Sequence, residues 1–461
     1  MSNGRPERFA PKPLRRRALF RRASEVAAAV AASGVASSLL VEQALAAPVR
    51  TASGVLHLSF WNLFGEAIPS NPYSMVMQSV VDKWNHQNPK VQVKMTYVAE
   101  SGTGESSKLL TAVASGTAPD IANVDRFSAP SWAAQGALTD LTSYGNAANL
   151  NPGNYASYTW DEAHYDGKLY AMPGGPDAVD IRVLFVRNDI LKKHHLNPDY
   201  LKTTIDLHTA ALALTQKQGG TYKTIGFVPW YGNWFIYGWG WAFGGHFHTG
   251  AGPSFRLTLT DPKIVTALEW MASWTNDFPV ATVNAASSSY GNSAHDPLIT
   301  GQMPLIINGN WQLATYAQYA PHLDYSVIPV PTPPGLPATS WSGGFGYAVP
   351  KGAANVEASW NFIQFFCNEQ NSLDMAVATT TFPAWLSALH SPAIRRIPRI
   401  QTFLDLVQVA HGRPVTPAGQ LLWNELTTNA TNNALYHKMS AKEALTQAQQ
   451  AVNSYLATLK R

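Results

Sequence analysis

The sequence predicts an α/β fold of two lobes, each a mostly parallel sheet flanked by helices, and three observations carry that expectation. Strand, helix, strand, helix and strand patterns follow one another over residues 55–124, the alternation that builds a parallel sheet. A single core stops growing near ~250–300 residues, so the 415 residues that follow position 46 in this 461-residue chain should divide into two. The hydrophobic content of 46% excludes low-complexity disorder.

Residues 12–46 have an export layout: Arg15, Arg16, Arg17, Arg21 and Arg22, then an Ala/Val-rich run from Val26 to Val41, then Ala44-Leu45-Ala46. Small side chains at 44 and 46 suit a signal peptidase, and Pro48 favours cutting after Ala46, so residues 1–46 are expected to be a removable signal. Arg16-Arg17-Ala18-Leu19-Phe20 before a weakly hydrophobic run resembles a twin-arginine signal. The run falls short of the ~20 strongly apolar residues that span a membrane, and no Cys follows it for lipid attachment. The expected product is soluble, in the periplasm or cell envelope.

The body begins with a strand at Val55–Trp61 that ends at Asn62. Met75, Val76, Val80, Val81 and Trp84 have helical spacing over 72–87, and Pro89 stops that helix. Val91, Val93 and Met95 alternate as a second strand, a helix around 109–114 follows, and Ile121–Val124 reads as the third strand. Parallel sheets bind ligands beyond their carboxyl ends, which makes the loops after Trp61 and Val124 site candidates. Asp166-Gly167-Lys168 marks a turn before a strand pair over 169–187, and helices are expected near 206–217 and 262–275. Five Pro in 329–337 predict a stiff extended crossover. From 354 the pattern is helical, with helices over 354–367, 418–435 and 440–459.

The formal charge of +4 sums 33 Lys+Arg against 29 Asp+Glu, but residues 1–46 hold 8 of the bases and 3 of the acids. The rest therefore carries 25 bases and 26 acids, net −1. Without a run of cations to displace counterions, nucleic acid is excluded as a partner. Charged residues are 13% of the chain, about half the usual ~25%, while Trp reaches 15 residues, which describes a neutral, aromatic surface. The one Cys, Cys367, beside Phe365 and Phe366, reads as a buried small hydrophobe.

Seven segments then occur in a familiar order: Leu58-Ser59-Phe60-Trp61; Ser115-Gly116-Thr117-Ala118-Pro119-Asp120-Ile121; Ala134-Gln135-Gly136-Ala137-Leu138; Asp166 to Pro173; Asn308 to Trp311; Gly343-Gly344; and Ala358 to Ile363. In that order they resemble the extracellular solute-binding proteins of ABC importers, family 1, the carbohydrate-binding group that includes the maltose-binding protein. The family's Pro-x-Thr-Trp turn is replaced here by Leu201-Lys202-Thr203-Thr204-Ile205. The resemblance implies a type II periplasmic-binding-protein fold with the ligand cleft between lobes, 47–178 plus about 338–390 forming one and 179–337 plus about 391–461 the other. It implies partners too: a carbohydrate, taken to be a neutral oligosaccharide, and the membrane permease subunits that recognise the closed form. A monomer that needs no cofactor is expected.

A sugar offers C–H faces to aromatic rings and edge hydroxyls to carboxylates and amides. The resemblance assigns Trp311 after Asn308-Gly309-Asn310, Trp230 and Tyr231 in Pro229–Trp234, and Trp423 six residues after Pro417. One or two of Trp230, Tyr231, Trp234 and Phe235 should be core, and Trp239 and Trp241 should pack the second lobe. Trp341 precedes Gly343 and Gly344, where absent side chains let a ligand reach the backbone. On the polar side, Asp125 and Arg126 match an Asp-Arg pair that hydrogen-bonds sugar in maltose-type relatives. Asn62 and Glu66 follow the first strand, Asp177 and Asp180 the crossing strand, and Asp120 should brace its loop.

Two other function classes compete. An exported carbohydrate-active enzyme needs two opposed carboxyls about 5–10 Å apart, and no motif pairs acids in that way. A polyamine- or peptide-binding protein of the same fold would want acids around the aromatics, and the segments near Trp230 and Trp311 contain none. His246 and His248 share a strand face without a third ligand, so no metal site is expected.

Overall fold

The computed structural model describes residues 54–63, 72–98 and 107–459; the expected leader and Glu66 lie outside them. Strand β1 (Leu56–Asn62) turns Leu58, Phe60 and Asn62 inward, and α1 (Pro72–Gln87) opens on a proline and buries Met77, Val80, Val81 and Trp84. β2 (Val91–Tyr97), α2 (Ser107–Ala114), β3 (Ile121–Asp125) and α3 (Ala129–Ala134) continue the expected alternation. Next come β4 (Met172–Pro173), β5 (Arg182–Arg187), α4 (Thr204–Leu214), α5 (Phe235–Ala242), β6 (Leu305–Gly309), α6 (Gln312–Tyr319), β7 (Tyr325–Ile328), β8 (Ser340–Trp341) and β9 (Phe345–Ala348). The C-terminal part holds α7 (Val356–Phe366), β10 (Ala410–His411), α8 and α9 (Ala441–Leu459). Helix α8 is α-helical over Gly419–Trp423, π-helical over Asn424–Ala430 and α-helical again over Thr431–Leu435.

One sheet has the order β2-β1-β3-β9-β4, with β1 parallel to both its neighbours and β9 antiparallel to β3 and β4. The second has the order β6-β5-β7 and its ladders are antiparallel, which departs from the parallel arrangement expected of the second lobe. The reason lies in the path of the chain. β5 carries it in from the crossing segment, while β6 returns so that Asn310, just past its end, donates its N–H to Ile181 just before β5.

Each sheet has its own core. Around the first, Leu58, Phe60, Val81 and Trp84 pack with Tyr347, Phe362, Ile363, Phe366 and Cys367, so the Cys is buried as expected. Around the second, Val183–Val186 pack with Leu207, Phe227, Trp234, Tyr237, Trp239, Trp274, Phe403 and Leu445. Trp239 and Trp241 are buried there, as expected. Asp120 accepts the N–H and hydroxyl of Ser59, each at 2.9 Å, which ties the loop before β3 to β1.

Several boundaries differ from expectation. Helix α4 starts at Thr204 because Thr203 and Asp206 form a capping box, and it ends at Leu214, where the chain passes into a short strand at Gln216–Gln218. Thr203 and Asp206 thus do the work expected of the missing Pro-x-Thr-Trp turn. The 169–187 pair is three short pieces because the chain leaves the first sheet at Pro173 and enters the second only at Arg182. Among the described residues no helix is long and apolar enough to cross a membrane.

Candidate functional site

The site forms where the C-terminal ends of β1 and β3, the segment between β4 and β5, the segment before α5, the end of β6 and the loop before α8 meet. Asp125 ends β3 and accepts two hydrogen bonds from Arg413, at 2.7 and 3.3 Å. The next residue, Arg126, is wholly buried and forms an ion pair with Glu162 at 3.2 Å. Its guanidinium also donates to the Gly343 carbonyl and, at 3.3 Å, to that of Tyr158. Arg126 therefore braces the floor beneath Asp125 in this structure, and its backbone N–H fastens to the Gly344 carbonyl at 3.1 Å.

Charge strongly shapes this floor. Burial raises the Glu162 carboxyl, and Arg126 and Arg413 act against that rise. Burial alone would lower Arg413, but Asp125 and Glu162 together hold it above the usual guanidinium range. The guanidinium of Arg413 also lies 4.5 Å from the Phe127 ring centre, 5.6 Å from that of Trp341 and 6.0 Å from that of Trp423.

A second guanidinium organises the other side. Arg182, at the start of β5, lies 3.6 Å over the Trp341 ring and 5.2 Å from Trp311. It pairs with Asp180 at 3.4 Å and donates to the Asn233 amide oxygen at 3.2 Å. Burial, only partly offset by Asp180, lowers it to about 10. Asp177 is buried with Asp180 beside it; burial first, and then the Asp180 charge, push its carboxyl well above the ordinary range.

The expected aromatics divide. Trp311 is half-buried, and Gly309 explains its pose: the ring lies where a side chain at 309 would begin, so only glycine lets it fold back over the end of β6. Trp341 is 2% exposed and its indole N–H has no partner among the described residues. Trp423 is half-buried, stacked at 5.8 Å on Tyr237 and edge-on to Phe235 at 4.9 Å. Trp230 and Tyr231 are half-buried while Trp234 is core; the Tyr231 ring meets Tyr290 edge-on at 5.6 Å, and burial, with Asp296 adding to it, raises its phenol to about 12.

Asn62 lies in the first lobe's floor, accepting from the Asn123 amide at 2.9 Å. Gly343 and Gly344 join the two sides, since the Gly343 carbonyl also accepts the Asp180 N–H at 3.3 Å. The structure thus brings Asp125, Arg126, Asp177, Asp180, Trp311, Trp341, Gly343, Gly344 and Trp423 into one contiguous set, whereas Trp230 and Tyr231 pack against the second core, Tyr231 towards Tyr290 and Asp296. Sequence reasoning missed Arg413, Arg182, Glu162 and Phe127, and it weighed Phe235 and Asn233 only as members of the cluster around Trp230 without giving either a role. A lone Arg heading the apolar run Val183–Val186, and Gly412-Arg413-Pro414 just ahead of the Pro417…Trp423 spacing, were the signals available.

No three His, Cys, Asp or Glu converge as a metal site among the described residues. What the arrangement offers is ring faces bounded by carboxylates, guanidinium groups and an amide, a surface suited to a ligand with apolar faces and hydroxyl edges.

Residues 79–402 match the family described as bacterial extracellular solute-binding protein. The arabinooligosaccharide-binding protein of Bacillus subtilis (strain 168) is 24% identical over 326 residues, covering 68% of this chain and 69% of the relative. The maltotriose-binding protein of Pyrococcus abyssi (strain GE5 / Orsay) is 22% identical over 356 residues, 76% of this chain and 72% of the relative. The solved structure of CpMnBP1 with mannobiose bound superposes with a TM-score of 0.75 at 25% identity, covering 86% of this chain and 99% of that one.

Proposed function

This chain belongs to the bacterial extracellular solute-binding protein family, and we propose that within it the protein is the substrate-binding component of an ABC transporter that captures a neutral oligosaccharide. The observation that carries the sugar is the joining of the Trp311, Trp341 and Trp423 rings, through Arg182, Arg413 and Phe235, to the acids Asp125, Asp177 and Asp180. Relatives named for arabinooligosaccharide and maltotriose binding support the same class of ligand.

The physics of delivery is a population shift. A ligand that touches both lobes binds the closed state better, draws the protein into it and presents that form to the permease. In this reading the lobes are 47–178 plus about 338–390 and 179–337 plus about 391–461, residues 1–46 are a twin-arginine export signal, and the mature protein works as a soluble monomer outside the cytoplasmic membrane. It binds without chemical turnover. At roughly −0.3 kcal/mol per heavy atom, a disaccharide of about 23 heavy atoms gains about −7 kcal/mol, a micromolar affinity.

Trp311→Ala tests the stacking role by calorimetric titration beside thermal melting. Loss of about thirtyfold in oligosaccharide affinity (~2 kcal/mol), with little change in the melting temperature of the free protein, is the expected result. A large drop in stability with affinity unchanged would make the ring a packing element.

A further inference from the structure

Four acids and three guanidinium groups share the floor of the site, and matching them leaves one acid over. Asp125 is held by Arg413 at 2.7 Å, Glu162 by Arg126 at 3.2 Å and Asp180 by Arg182 at 3.4 Å. Asp177 remains, 3% exposed, and the cations that act on it are Arg182 and Arg126, each already paired with another carboxylate. Of the stretches outside the described residues, the two internal ones, 64–71 and 99–106, contain no Lys, Arg or His, and the bases lie in the terminal ones, 1–53 and 460–461.

A buried carboxylate without a counter-charge is costly, and it either keeps its proton or waits for a cation. The other titratable groups around it supply none. Tyr73, Tyr158 and Tyr347 are phenols raised by burial and therefore neutral.

A second observation points to a ligand. One oxygen of Asp177 and one of Asp180 accept from no N–H or hydroxyl among the described residues, the two carboxyls lying within hydrogen-bonding reach of each other, and the indole N–H of Trp341 has no acceptor. Nor has the amide nitrogen of Asn310, whose oxygen accepts from Ile181, the neighbour of Asp180. All four residues are more than nine-tenths buried, and they lie around Arg182 at the Trp311 and Trp341 rings. Two orphaned acceptors and two orphaned donors in one place describe the edge of a polar guest, and the surplus acid describes its charge.

We propose that the site is built for a saccharide bearing an amine, with the ammonium seated against Asp177 and Asp180 while a sugar face stacks on Trp311. This rests on the sugar-binding reading, keeps the saccharide and replaces its neutral character with a single positive charge. Acids absent from the sequence around Trp311 are brought there from the crossing segment by Arg182. Binding is an exchange of one positive charge for another: the ammonium enters with its protons, and the proton held by the Asp177 carboxyl leaves to the buffer.

The test is isothermal titration of the native protein at pH 7 with trisaccharide pairs, in gluco and manno configurations, in which one hydroxyl is replaced by an amine. The amine-bearing partner of a pair should bind at least tenfold more tightly and release close to one proton per ligand across buffers of different ionisation enthalpy. In Asp177→Asn the ratio between partners should fall towards one and the proton release should vanish; the wild-type comparison decides alone if that variant does not fold. A hydroxyl partner that binds as tightly as the amine or more so, with no proton released, overturns the inference and leaves the sugar-binding reading standing. No binding to either partner of any pair, with a clear response to polyamines or peptides, overturns both.

Discussion

At the scale of single residues, Asp177 makes the sharpest demand on solution behaviour. Its carboxyl is raised in the folded protein, chiefly by burial, whereas in the unfolded chain it ionises near ~3.9. The folded state therefore holds a proton that the unfolded state gives up. The associated stability is complete below about pH 4 and is lost as pH rises through the folded-state value. Glu162 has the same sign. His411, stacked flat on Trp241 and lowered to about 4 by burial and then by His246, has the opposite one: its contribution is present above 6.5 and lost as pH falls. Comparison with Asp177→Asn isolates the first effect. In urea titrations of the ligand-free protein, wild type should lose stability relative to the variant between pH 4 and pH 8, and parallel profiles would contradict the assignment.

The same scale shows what sequence can and cannot disclose. Trp311 was legible because Gly309 and the box around it are contiguous in the chain, and Cys367 because its neighbours Phe365 and Phe366 are apolar. Arg413 was not, because its meaning comes from Asp125 and Glu162, which lie more than two hundred residues away. Arg126 was read for its neighbour Asp125, yet burial turns it towards Glu162.

At the scale of elements, local signals sufficed wherever one helix or strand determines its own limits. The proline at the head of α1, the alternation in β1 and the long amphipathic α9 were all readable. Pairing direction was not, since whether β5 runs with or against β6 depends on a return path of more than a hundred residues. Helix α4 shows a local signal that was overlooked. The Thr203 hydroxyl accepts the Asp206 N–H at 3.2 Å while Asp206 accepts the Thr203 N–H at 2.8 Å, a reciprocal cap that stands in for the family's usual turn. Thr203→Ala should cost about 1 kcal/mol in urea unfolding without altering ligand affinity. A change in affinity at unaltered stability would mean that this helix start reaches the site.

At the scale of the whole molecule, the segment before α8 is pressed against the elements that carry Asp125. A side chain at Gly412 would begin 2.6 Å from the Tyr158 Cβ, and one at Gly419 would begin 3.0 Å from the Phe127 carbonyl. Gly412 precedes Arg413 and Gly419 follows it by six residues, so this stretch combines close backbone approach with the shortest ion pair in the site, 2.7 Å. If the two sheets belong to lobes that close on a guest, this is where the closed form is held, and a ligand that bridges Trp311 and Asp125 adds to it. The gain must appear as stability, because a ligand bound only by the folded state raises it by about 2.7 kcal/mol at a hundred times its dissociation constant. The most direct measurement is therefore thermal melting of the protein, followed by intrinsic Trp fluorescence, against a panel of mono- and oligosaccharides beside polyamines and short peptides. A rise of several degrees with at least one oligosaccharide, accompanied by a change in Trp emission, is the predicted result. No response to any sugar, with a clear one to a polyamine or peptide, would contradict it.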